Sequence, residues 1–140
     1  MIKYIPVLIL LGYTSYTDLK KRIVPDGAVI LLLIYSLFLI EDIKQSLLFG
    51  LFIFAVQLIL AVISDGGIGG GDIKLMSVMA FMMGYDIALM ALPLAILMIF
   101  AMAYSIITKK GLNYSVPFVP YIFISYCITL FFKFNYPPLL

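Results

Sequence analysis

Two aspartates stand where carboxylates are costly to keep. Asp18 lies in Tyr16-Thr17-Asp18-Leu19-Lys20-Lys21-Arg22, and Asp72 in Gly69-Gly70-Gly71-Asp72-Ile73-Lys74. A carboxylate at the edge of an apolar helix tends to mark function. Two of them point to acid–base chemistry with one shared proton. Close carboxylates cannot both ionise cheaply, so such a pair titrates in two separated steps. The elements between the two must bring them together.

Those elements are almost wholly apolar. The chain has 140 residues, 65% of them hydrophobic and 11% charged. Average soluble domains are about 45–50% apolar and about 25% charged. A water-soluble fold of this size could not hide so much apolar surface, so the composition implies an integral membrane protein. Residues 1–140 leave room for a single transmembrane domain. There is no histidine, which excludes His-based triads and His metal sites. Cys127 is the lone cysteine, so no internal disulfide or multi-thiolate metal site can form. It reads as a small apolar side chain within a helix. The N-terminal apolar run has one Lys and no small-residue cleavage site, and reads as a membrane segment.

The expected fold is all-α: a polytopic transmembrane bundle of about six spans. Breaks in the apolar runs delimit Ile2–Thr17, Gly27–Ile40, Ser46–Ile63, Ile73–Met83, Ile87–Ile107 and Val116–Phe132. The second and fourth fall short of the roughly 17–25 residues a membrane helix needs. Pro25 biases Val24 away from helix, and Asp26 is a candidate N-cap for the second span. Glu41-Asp42, Gly84-Tyr85-Asp86 and Lys109-Lys110-Gly111 mark further breaks. The run Gly66-Gly67-Ile68-Gly69-Gly70-Gly71 is too glycine-rich for a stable helix, since each Gly costs about 1 kcal/mol relative to Ala.

Six spans make the loops alternate between two faces. Lys20, Lys21, Arg22, Lys74, Lys109 and Lys110 fall on one face, and Lys3, Lys44 and Lys133 on the other. The positive-inside rule puts the first set in the cytoplasm, with both termini outside. Two complete spans separate Asp18 from Asp72, so both return to the cytoplasmic face.

Each motif has a plainer alternative. Asp18 could form an exposed pair with Lys21 or Arg22, of little energetic consequence. Its functional reading is half of a dyad, with Tyr13, Thr14, Ser15 and Thr17 making that end of the helix suited to a wet cavity. The glycine segment fits neither a Walker loop nor a dinucleotide fingerprint. It could be a flexible loop with Asp72 capping the fourth helix. Alternatively, Gly69, Gly70 and Gly71 form an active-site loop, whose bare backbone adopts unusual dihedrals and allows close approach. Lys20, Lys21, Arg22 and Lys74 serve as orientation anchors, or contact lipid head groups or an acidic group of a substrate.

Together these segments resemble the type IV prepilin peptidases, a family of GxGD-type intramembrane aspartic proteases. The GxGD element reads Gly69-Gly70-Gly71-Asp72. The first aspartate of that family precedes a basic stretch and an Ile-Pro-Asn-like element, here Asp18-Leu19-Lys20-Lys21-Arg22-Ile23-Val24-Pro25-Asp26. Val116-Pro117-Phe118-Val119-Pro120 resembles a Pro-Phe-Gly-Pro-like element before the last span, with Val119 in place of Gly. Many bacterial members begin with a cytoplasmic segment of paired CxxC motifs and also methylate the new N-terminus. This chain starts at its first span and resembles the short, peptidase-only branch, of Flp/Tad or preflagellin type, without methyltransferase activity.

The resemblance implies catalytic Asp18 and Asp72 at the cytoplasmic side of the cell membrane, with no metal and no cofactor. The implied substrate is a prepilin-like or preflagellin-like membrane protein carrying a short basic leader. Other classes stay open: a small cation transporter or channel with an unwound glycine segment, a non-catalytic membrane subunit of a pilus or secretion machine, or a presenilin-like protease.

Overall fold

The computed structural model describes residues 2–64, 68–107 and 117–135. Six α-helices and no strand occur among them: α1 (Ile5–Lys21), α2 (Asp26–Ser36), α3 (Ile43–Ile63), α4 (Gly70–Met83), α5 (Ile87–Ile107) and α6 (Val119–Asn135). The expected all-α fold is thus observed. Gly66-Gly67, Lys109-Lys110-Gly111 and Val116 lie outside the described residues.

Several helix boundaries differ from those expected. The first helix runs past Thr17 to Lys21, so Asp18 sits inside its last turn. There Arg22 takes a left-handed conformation (φ 55°), and its N–H donates to the Asp18 carbonyl at 2.9 Å, closing α1. The second helix ends at Ser36, but successive N–H groups of Leu37, Phe38 and Leu39 donate three residues back and tighten the chain onward. Pro25 rather than Asp26 is its N-cap; Asp26 is the first helical residue, where its charge suits the helix dipole. The fourth helix already includes Gly70 and Gly71, so tertiary contacts there outweigh poor propensity.

Other ends follow their sequence. Asp42 caps α3 by accepting from the Lys44 and Gln45 amides at 2.9 and 3.4 Å. Gly84, at φ 55°, stops α4, and a single 3-10 turn over Gly84–Asp86 leads into α5.

The core is drawn from α1, α2, α4, α5 and α6: Val7, Leu11, Leu32, Leu75, Met79, Met90 and Ile122 are all essentially inaccessible. Helix α3 buries only Ser46 and Gly50. It lies close against α4, where a Cβ on Gly50 would stand 2.9 Å from the Cβ of Phe81. The outer faces of α3 and α5 carry exposed Leu47, Leu51, Phe52, Ile96, Ile99 and Phe100. Exposed apolar surface on this scale needs a covering medium.

Side-chain contacts fix the helix directions. At one end, Asp18 of α1 meets the first residue of α6, and Asp26 of α2 meets Lys74 of α4. At the other, Tyr4 packs edge-on against Phe134, the Tyr35 hydroxyl donates to the Lys3 carbonyl, and Lys133 pairs with Asp86. Helices α1 and α6 are therefore antiparallel, and the chain returns to the Asp18 end at the start of α2, α4 and α6.

Candidate active site

Asp18 is 6% exposed, although its neighbours Leu19, Lys20 and Lys21 face outward. An exposed pairing of this carboxylate with Lys21 or Arg22 is thereby overturned. Its Oδ2 instead accepts a hydrogen bond from the Val119 amide at 3.0 Å, across the gap between α1 and α6. A buried carboxylate without such a partner would be heavily penalised.

The polar residues before Asp18 divide into three kinds. Tyr13 and Tyr16 are exposed. The Thr14 hydroxyl donates to the Leu10 and Leu11 carbonyls, each at 3.0 Å, and that of Thr17 to the Thr14 carbonyl at 2.9 Å. These hydroxyls are spent on their own helix. Ser15, one turn before Asp18, has a buried Oγ with no partner among the described residues. Of these five, Ser15 alone is buried with its hydroxyl unspent among the described residues.

Asp72 occupies the third residue of α4 and is half-buried. It makes no capping bond; Gly69 is the N-cap, and the Asp72 and Ile73 amides return to the Gly69 carbonyl. The Asp72 Oδ1 is buried and has no hydrogen-bond partner among the described residues. Asp18, in the last turn of α1, and Asp72, in the first turn of α4, lie at the same end of the bundle.

Gly69, Gly70 and Gly71 do not form the loop of unusual dihedrals expected. Gly69 has φ −66° and ψ 136°, ordinary for any residue, and Gly70 and Gly71 are helical. Space, not backbone conformation, constrains Gly69 and Gly71. A Cβ on Gly69 would stand 3.2 Å from Oδ2 of Asp72, and one on Gly71 would stand 2.8 Å from the Cβ of Val24. A Cβ on Gly70 would meet nothing within 4 Å. The pattern Gly-x-Gly-Asp thus has a steric meaning: the two outer glycines face close neighbours, and the position between them is open.

The basic residues spread apart. Lys20 donates to the Tyr16 hydroxyl at 3.3 Å and lies over that ring. Lys74 donates to Oδ1 of Asp26 at 2.8 Å. The element after Asp18 thus serves Asp72: Val24 seats Gly71, and Asp26 holds Lys74. Sequence reasoning missed this coupling and the Val119 amide. The signal was present in the prolines at 117 and 120, which strip the start of α6 of competing donors. Among the described residues, no three His, Cys, Asp or Glu side chains are grouped to hold a metal ion.

A family model described as the type IV leader peptidase family matches residues 5–132. The chain belongs to that family. Comparison with curated proteins and with solved structures gave no match. As a type IV leader peptidase family member the protein is a peptidase. Its helix Ile43–Ile63 and its segment Gly70–Tyr104 are long and apolar enough to cross a membrane. With the exposed apolar surface described above, this leader peptidase is a membrane protein.

Proposed function

We propose that the protein is a membrane-embedded aspartic endopeptidase with Asp18 and Asp72 as its catalytic pair. It removes the short basic leader of a prepilin-like or preflagellin-like substrate at the cytoplasmic face. The observation that carries this reading is that the end of α1 and the start of α4 place two carboxyls at one end of the bundle. Six membrane crossings would put that end, with Lys20, Lys21, Arg22 and Lys74, in the cytoplasm of the cell membrane.

The chemistry needs only this pair. One carboxylate takes a proton from water as the water oxygen bonds to the scissile carbonyl carbon. The protonated partner hydrogen-bonds the carbonyl oxygen, where negative charge develops. Collapse of the tetrahedral intermediate breaks the C–N bond, and a proton passes to the leaving amine. The substrate helix lies in the membrane against the bundle and presents its leader junction to the aspartates. Closure of a protein environment around them strengthens each electrostatic contact.

The test is cleavage of co-expressed prepilin-like and preflagellin-like substrates by wild type, Asp18→Asn and Asp72→Asn at matched membrane levels. Wild type alone should cleave. Appreciable cleavage by either Asn variant would sink the mechanism.

A further inference from the structure

Helix α6 begins with an unusual economy of donors. A helix start normally leaves its first N–H groups without intrahelical partners. Here Pro120 has no N–H, and the Tyr121 and Ile122 amides both return to the Phe118 carbonyl, at 3.1 and 3.3 Å. Of the first turn, Val119 alone has an N–H not spent within the helix. It is completely buried and donates to Oδ2 of Asp18 at 3.0 Å. The contact joins residues 101 positions apart. Pro117 and Pro120 fix the backbone on both sides of it, since proline restricts its own φ and the residue before it.

We infer that the Val119 backbone amide is a positioning group for Asp18 and selects which of its oxygens reacts. This rests on the reading of Asp18 and Asp72 as the catalytic pair. An N–H donates to a lone pair, so Oδ2 stays turned towards α6 as an acceptor. The proton shared by the two carboxyls then lies on Oδ1 of Asp18 or on Asp72, and Oδ1 is the oxygen that meets water. Without the amide, the carboxyl can rotate about its χ2 torsion, which is intrinsically broad. A misdirected carboxylate loses rate because in-line geometry supplies much of such catalysis. The Pro-Phe-Val-Pro element acquires a role through its main chain: the residue at 119 can vary, but not its N–H.

Val119→Pro tests this by removing the N–H and placing a ring Cδ where its hydrogen points at Asp18 Oδ2. Proline is favoured at the first helical position, where its fixed φ suits the helix. The variant removes one N–H and keeps an apolar residue at 119. Val119→Ala keeps the N–H and serves as the matched control. Both are purified in detergent and assayed on a prepilin-like substrate that wild type cleaves. Val119→Pro should lose about 10- to 100-fold in kcat, a geometric effect, with KM within about twofold of wild type. Val119→Ala should lose far less kcat than Val119→Pro, because it keeps the N–H. If Val119→Pro does not fold, replacing residue 119 by its α-hydroxy acid analogue exchanges the N–H for an oxygen and keeps the side chain.

Wild-type kcat in a folded protein lacking this N–H overturns the inference. So does a loss that falls on KM with kcat unchanged, because it would place the contact in substrate binding. Failure of wild type to cleave, or cleavage by Asp18→Asn, would instead remove the catalytic-pair reading beneath it.

Discussion

Gly71 rests against Val24, so closely that a Cβ at position 71 would stand 2.8 Å from the Val24 Cβ. This contact ties the start of α4, which carries Asp72, to the lead-in of α2. Both atoms in conflict lie at or next to the backbone, where nothing flexible can give way.

Gly71→Ala should therefore destabilise the protein by about 1–3 kcal/mol, the usual range for overpacking. Gly70→Ala, with open space at its Cβ, should be neutral or stabilising by up to about 1 kcal/mol through helix propensity. Thermal melts in detergent separate the two. Combining Gly71→Ala with Val24→Gly removes the opposing Cβ and should relieve most of the clash; additive losses in that double-mutant cycle would contradict the contact.

Gly69→Ala probes a different relation. Its backbone is ordinary, so alanine fits conformationally, but the new methyl would press on Oδ2 of Asp72 from 3.2 Å. Stability should change by less than about 1 kcal/mol, while cleavage falls about tenfold or more through displacement of the carboxyl. Equal loss of melting temperature and of rate would mean that the methyl disturbs the fold rather than the aspartate.

These relations mark what was legible in the sequence. The aspartates stood out because charge is scarce in this chain, and the parity of the helices returned them to one end. The six helices were readable because apolar runs and their glycine, proline and acidic breaks are local signals. The pairing of Val24 with Gly71, and of Val119 with Asp18, was not readable. Each joins segments distant in sequence, and the Val119 donor is a backbone atom that its side chain does not advertise. The glycines were expected to supply unusual dihedrals; in the fold they supply room. Helix ends moved by several residues because capping turns, such as the left-handed Arg22 whose N–H donates to the Asp18 carbonyl, are backbone conformations that the residue type does not announce.

The exposed Lys74–Asp26 pair should contribute little. Both side chains are more than half exposed, at 55% and 66%, and such pairs are worth about 0–1 kcal/mol. Lys74→Ala should shift stability within that range, and the shift should shrink as salt rises and screening shortens. A salt-independent loss above that range, measured by denaturation in detergent, would mean that Lys74 has a second structural partner.

The two aspartates should differ when truncated. Asp18→Ala leaves the Val119 amide buried without an acceptor, which costs about 1–3 kcal/mol. Asp72 has a buried Oδ1 with no partner among the described residues, and burying such an oxygen is itself unfavourable. Asp72→Ala should therefore leave stability unchanged or raise it, as expected where function holds a costly group in place. Asp18→Asn keeps an oxygen for the Val119 N–H and should melt near wild type while failing to cleave. Thermal melts of the three variants with wild type give the order directly. A larger loss for Asp72→Ala than for Asp18→Ala would mean that the supporting bond belongs to Asp72, and that the Val119 contact is not what holds the site.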